Sequence, residues 1–349
     1  MPLARVLLGV LALLTAYATL YPMEGWRDPG VSPFAYLSAP WPRHITRFDL
    51  AVNVLGYLPF GTLAAAALHP RLRGVPAFVA GTAAALALSL VLEAQQSYLP
   101  ARFPSNLDVL CNLAGGAAGA ALAARYAPRL FAEGPFGRLR HRVFLAGGVI
   151  DLGLALMALW LFIQLNPATL LFGAGDLRDL LGARDARGHQ PEFFIAIEAV
   201  TAGANLLAAA LLFSSLAAPA APVRLLLAAL IACALIVRTA AFAILMRAED
   251  VLGWLTPGAQ IGLLAGMLLA LALVALPRVA RLVLAAVLVM AATVLVNLAP
   301  PNPYLSASLK VWQQGHFLNF NGLTRVVSAL WPFAALGWLM YFAARRPRE

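Results

Sequence analysis

Apolar residues run along this chain in blocks of about 18 to 24, separated by short segments rich in Pro, Gly and Arg. No block alternates with the period of two that marks a strand, and blocks of this length wound as α-helix match the thickness of a bilayer core. They predict spans at residues 3–21, 48–68, 75–96, 107–125, 143–165, 193–216, 223–246, 257–276, 282–299 and 326–343. The expected fold is an all-α polytopic membrane bundle of about ten transmembrane helices, because hydrocarbon offers an unpaired backbone amide no partner and a helix supplies its own.

Composition agrees with the pattern. Of 349 residues, 62% are hydrophobic and only 11% charged, with a mean hydropathy of +0.82, too apolar for a soluble chain of this length. The net charge of +10 does not point to nucleic acid, since the arginines sit in short inter-helix loops and the C-terminal tail and not on one folded face. Arg71, Arg73, Arg125, Arg129, Arg138, Arg140, Arg142, Arg278, Arg281 and the tail Arg345, Arg346 and Arg348 fall on one side, nearly without acids. The opposite loops mix both signs. By the positive-inside rule the arginine-rich side is cytoplasmic, which puts both termini in the cytoplasm.

Arg5, the first apolar run and Ala16-Tyr17-Ala18 also have the outline of a secretory signal. The run continues through Leu20 and Tyr21, which favours a retained anchor. Cys111 and Cys233 both fall within helices, where buried packing is the ordinary role, and no disulfide is expected.

The Pro-, Gly- and Arg-rich stretch 126–142 divides the chain. Residues 1–125 form a four-helix membrane unit, 126–142 a basic cytoplasmic linker, and 143–349 a six-helix C-terminal unit. Three long loops, 22–47, 166–192 and 300–325, carry Trp26, Trp41, Trp312 and other aromatics suited to the headgroup layer. They are expected to cap the outer membrane surface.

Against this apolar background the first unit carries a set of polar residues. Glu93 and Gln96 share a face near the outer end of the third span, and Arg102 follows in a short loop. Asp108 and Asn112 then stand at i, i+4 at the start of the fourth span, continued by Gly115 and Gly119 as a G-x-x-x-G packing stripe. Asp49 and Asn53 repeat the spacing in the second span, ahead of Pro59 and Gly61. Singly, Asp49 and Asp108 are ordinary helix-start residues, with Ser105 or Asn106 as a cap for the latter. Together, Asp49, Asn53, Glu93, Gln96, Arg102, Asp108 and Asn112 predict one polar pocket at the extracytoplasmic face.

The ordered pattern D49-x3-N53, E93-x2-Q96, R102, S105-x2-D108-x3-N112-x2-G115-x3-G119 resembles the VanZ-like family of bacterial integral membrane proteins, over about residues 1–125. The resemblance implies a place in the bacterial cytoplasmic (inner) membrane, where cell-wall precursors are displayed, and a link to teicoplanin resistance. It implies no reaction.

The pocket admits more than one chemistry. Arg102 suits a phosphate, and a lipid-linked pyrophosphate would suit both it and the oxygen donors, so membrane lipids, among them lipid-linked cell-wall precursors, are the expected partners. Its hard oxygen donors would also take Mg²⁺ or Ca²⁺, and no other cofactor is implied. Binding or remodelling an envelope lipid or glycolipid ranks first. A membrane-embedded hydrolase or transferase acting on a lipid-linked phosphate ranks second, through paired carboxylates as acid and base. No H-E-x-x-H, P-loop or nucleophile elbow sharpens that alternative, and a transporter ranks third because the inner halves of several spans are nearly free of polar residues.

The C-terminal unit holds its own charges. Glu198 and Arg238 fall at depths that let them meet as an intramembrane ion pair, and Asp151 lies in the fifth span. An internal echo of His44-x3-Phe48-Asp49 in His316-x3-Phe320-Asn321, with Arg325 following, makes His316, Asn321 and Arg325 a second polar rim if the echo is a true repeat.

Overall fold

The computed structural model describes residues 2–42, 46–127, 134–178, 190–246, 250–303 and 318–344. The fold is all-helical, with α1 Pro2–Leu20, α2 Arg47–Leu68, α3 Val75–Gln96, α4 Asn106–Ala127, α5 Pro135–Val143, α6 Gly148–Ile163, α7 Pro191–Leu216, α8 Val223–Leu245, α9 Pro257–Leu273, α10 Arg278–Leu298 and α11 Leu318–Ala344. Eight of these are long and apolar enough to cross a membrane. The other two expected spans are shorter helices: α6 has 16 residues and α9 has 17, about 24 and 26 Å of rise against a hydrocarbon core of about 30 Å. Of the residues counted into the fifth span by hydropathy, Val143 ends α5 and 144–147 are not helical. There Phe144 and Ala217 form an isolated antiparallel bridge, and Leu145 N–H donates to the Leu216 carbonyl at 3.0 Å.

The chain divides into compact units Met1–Arg142 and Val143–Glu349. Part of the basic stretch expected as a linker is itself the helix α5.

In the first unit α2 lies against α4, with α3 packed on both and α1 against α2 and α3. Helix α2 starts where Thr46 caps it, its Oγ1 accepting the Asp49 N–H at 3.0 Å. The core is mostly alanine: Ala65, Ala66, Ala67, Ala120 and Ala123 make one cluster. Such small side chains let helices approach closely, which matters in lipid because association there rests on packing and not on expelling water. A Cβ on Gly115 would overlap the Val54 carbonyl, and one on Gly119 the Leu58 carbonyl. The Thr62 hydroxyl, 3.2 Å from the Gly119 carbonyl, ties the two helices there.

In the second unit α7 is enclosed by α9, α10 and α6 and is buried through almost all of its second half. Its contact with α9 is made by Gly258, Gly262 and Gly266, a small stripe at four-residue spacing. A Cβ on Gly262 would stand 2.8 Å from Ala202 Cβ. Helix α11 docks on α6 through two indoles: Trp331 Nε1 donates to Leu156 O at 2.8 Å and Trp338 Nε1 to Val149 O at 2.7 Å. The cysteines are free, and neither is buried: Cys233 is exposed and Cys111 half-buried. Buried packing was expected of both, but each faces outward from its helix, as an apolar thiol can in a lipid-facing wall.

Candidate functional site

The candidate site forms where α3 ends and α4 begins. The turn between them, Ser97 to Ser105, reverses the chain in a few residues, and Glu93 holds it. Although it sits in the last turn of α3, Glu93 is only 3% exposed, and its Oε2 accepts the Ser105 N–H at 2.8 Å. Ser105 in turn caps α4, its Oγ accepting the N–H groups of Leu107 at 3.2 Å and Asp108 at 3.3 Å. This chain of bonds explains a carboxylate at a helix end that the dipole disfavours: it serves the start of the next helix.

Asp108 therefore has a fixed backbone. Its Oδ1 accepts from Asn53 Nδ2 of α2 at 2.8 Å. Asp49, one turn before Asn53, is exposed and closes a box with Thr46, whose hydroxyl donates to its Oδ2 at 2.5 Å. The remaining polar residues of the expected pocket turn elsewhere. Gln96 Nε2 reaches the Thr19 carbonyl of α1 at 3.5 Å, and Arg102 Nη2 donates to the Tyr21 carbonyl just past α1. Asn112 Nδ2 donates to Ser89 Oγ at 3.0 Å inside the α3–α4 contact, while its Oδ1 finds no partner.

The loop after α1 folds over these helix ends. Arg27 N–H donates to Tyr98 O at 2.9 Å, Ser97 Oγ to Pro33 O at 3.0 Å and Asn106 Nδ2 to Ala39 O at 2.7 Å. Tyr36, in a short 3₁₀ turn Ala35–Ser38, is buried against α3 with its hydroxyl toward Leu90 O at 3.4 Å. Burial and then the nearby Glu93 charge push the Tyr36 phenol above its ordinary value.

Two cavities remain open beside this loop. One, of about 370 Å³, is lined by Asp49 and Asp108, with Tyr36, Pro42, Ser105 and Asn106. The other, of about 360 Å³, is lined by Arg27, Asp28, Ser97 and Arg102. Phe103 lines both and is 85% exposed. Burial pulls the Arg102 guanidinium below its ordinary value while the Glu93 charge opposes the shift, and its Nε lacks a partner. The expected single pocket is thus divided. Asp49, Asp108 and Arg102 line cavities, whereas Asn53, Glu93, Gln96 and Asn112 line neither and hold the helices in register. Arg27, Asp28, Tyr36 and Phe103 were not singled out from the sequence. For Arg27-Asp28 the nearest signal was a charged pair ahead of Pro29-Gly30 in a long aromatic loop. Trp26, Phe34 and Trp41 of the same loop are exposed. Among the described residues no three His, Cys, Asp or Glu side chains stand together as a metal-holding group.

In the second unit Glu198 and Arg238, expected as an ion pair, line one cavity and lie within reach of each other's charge. Arg238 donates to the carbonyls of Asn166 and Thr169, and Glu198 Oε1 accepts from the Thr256 hydroxyl at 2.6 Å. Among the described residues no hydrogen bond joins the two side chains directly. Asp151 is buried in α6. Asn321 and Arg325 lie on α11 of the second unit, Asn321 buried with both side-chain atoms unpartnered and Arg325 exposed. His44, His316, Trp312, the tail arginines and residues 179–189 and 304–317 of the long loops lie outside the described residues.

No curated protein and no solved structure matches the chain. Residues 6–127 match the family model described as VanZ/LLP1, and with its long apolar helices the chain is a membrane protein whose N-terminal third is a VanZ-like domain.

Proposed function

We propose that the VanZ-like unit binds the head of a phosphate-bearing envelope lipid or glycolipid at the extracytoplasmic face of the bacterial inner membrane, and that this alters susceptibility to teicoplanin-type glycopeptides. The observation that carries this reading is the pair of cavities that share Phe103, one with Arg27 and Arg102 beside Asp28, the other with Asp49 and Asp108. Arg27 and Arg102 offer charge-assisted donors to a phosphate, and Asp49 and Asp108 offer acceptors to sugar hydroxyls next to it. The exposed Trp26, Phe34, Trp41 and Phe103 suit the headgroup layer, where an aromatic ring meets both apolar chains and water.

Binding is favoured over hydrolysis or group transfer because each carboxylate of the region already serves a fixed partner. Glu93 lines neither cavity and its Oε2 accepts from Ser105, while Asp108 and Asp49, which share a cavity, accept from Asn53 and Thr46. The arginine asymmetry supports the orientation, and lipid-linked cell-wall precursors are the partner class whose head combines both chemistries.

The test is retention of polyprenyl phosphate by the purified protein in phosphatidylcholine nanodiscs. Arg102→Ala should weaken retention at least tenfold, consistent with loss of a charge-assisted contact worth about 1.5–3 kcal/mol. In cells, the same variant should lose any teicoplanin tolerance the wild type confers. Unchanged retention in both Arg102→Ala and Asp108→Asn would sink the proposal.

A further inference from the structure

The Val143–Glu349 unit contains a cavity of about 300 Å³ that the VanZ-like domain does not account for. It lies at the end of the unit where α7 begins and α8 ends. Glu198 is seven residues past Pro191 on α7, and Arg238 is seven residues before Leu245 on α8, so both sit about 10 Å from their helix ends. Phe194, Phe242 and Trp254 supply apolar walls, and Thr169 and Thr256 add hydroxyls.

Its charges are built in and only partly used. Arg238, 2% exposed, is fixed by the Asn166 and Thr169 carbonyls and lies with its guanidinium 5.2 Å from the Phe242 ring centre. Its Nε has no partner, and neither does Trp254 Nε1. Thr256, which also caps α9, orients the Glu198 carboxylate through Oε1, and among the described residues no hydrogen bond reaches Oε2. Gly258 keeps that oxygen clear: a Cβ there would stand 2.7 Å from it. Buried donors without acceptors are rare in folded proteins because each forfeits its hydration. Here two such donors belong to residues that line one cavity, and the free carboxylate oxygen belongs to a third.

We infer that this cavity binds the head of a zwitterion, with its anionic group toward Arg238 and Trp254 and a primary ammonium toward Glu198 Oε2. A carried apolar chain would lie against Phe194 and Phe242. Opposite fixed charges that do not touch each other match a ligand that carries both, since such a ligand compensates each charge without leaving a net charge in a low-dielectric site. Two sources carry this chemistry: a phosphoethanolamine lipid head and a free apolar α-amino acid.

The experiment uses the full chain in phosphatidylcholine nanodiscs and reads the thermal unfolding midpoint. Short-chain phosphatidylethanolamine, short-chain phosphatidylcholine, short-chain phosphatidylglycerol and free leucine are added separately. A rise with phosphatidylethanolamine but not with phosphatidylcholine, whose ammonium has no N–H to give Glu198, assigns a lipid source. A rise with leucine assigns a soluble one. In either case Glu198→Gln should weaken the response at least tenfold in ligand concentration. Trp254→Phe, which keeps an aromatic side chain but removes the indole N–H, serves as the second variant should Glu198→Gln not fold. No response to either zwitterion, equal responses to all the lipids, or a response that the folded variants leave unchanged would overturn the inference.

Discussion

Glu93 separates a structural carboxylate from a catalytic one, and two substitutions read the difference. In Glu93→Ala the Ser105 N–H loses its acceptor in a place where the residue is 3% exposed. An orphaned buried amide costs about 1–3 kcal/mol, and the lost methylene adds about 0.8 kcal/mol. The expected destabilisation is therefore about 2–4 kcal/mol. Because Ser105 also caps α4, the Asp108 side of the site should loosen with it. Glu93→Gln keeps a carbonyl oxygen at the same reach, so the bond to Ser105 persists and stability should stay within about 1 kcal/mol of wild type. The assay is thermal unfolding in detergent, with polyprenyl phosphate retention measured on the same samples. Alanine should lower both, and glutamine should preserve both. A glutamine variant that is fully stable yet has lost its lipid or its activity would refute the structural role, and would assign Glu93 to charge or proton transfer instead.

Three further outcomes are expected. Gly119→Val should force α2 from α4, because the new Cβ meets the Leu58 carbonyl and Thr62 N, backbone atoms that cannot step aside. The loss should exceed the roughly 1–3 kcal/mol of ordinary overpacking, and a near-normal unfolding midpoint would contradict the α2–α4 packing. Single cysteines at Ser97 and Gly137 should label from outside and inside respectively, and the reverse pattern would place the site at the cytoplasmic face. The Arg178 hydrogen bonds and charge outweigh burial and hold the Asp176 carboxyl below its ordinary value. A folded value below the unfolded one, about 3.9, means that this contribution is present at neutral pH and is lost as pH falls through the folded value. Asp176→Asn should flatten that acid limb of the stability profile, and an unchanged limb would show that the pair does not persist in solution.

What the sequence determined by itself was set by solvent and by spacing. Apolar blocks of bilayer length leave helices as their only self-satisfied form, so the all-helical architecture was legible without any tertiary contact. The i, i+4 spacing of Gly115 and Gly119 was legible as a close-packing face for the same local reason, since four residues of helix return to one side. Hydropathy was less able to place ends. It counted residues 143–147 into a span because apolar residues read alike in a helix and in the Phe144–Ala217 bridge. Tertiary structure decided which polar residue served which partner. Spacing put Glu93 and Asp108 near one another, but only the turn through Ser105 makes Glu93 a support and leaves Asp108 facing a cavity. Depth along two helices suggested that Glu198 and Arg238 meet. The fold adds hydrogen-bond partners that depth could not name, the carbonyls of Asn166 and Thr169 for Arg238 and the hydroxyl of Thr256 for Glu198, because a hydrogen bond depends on direction and distance in three dimensions. Position along the chain fixes a residue's depth and helix face, whereas its partner is set by the packing of segments far apart in sequence.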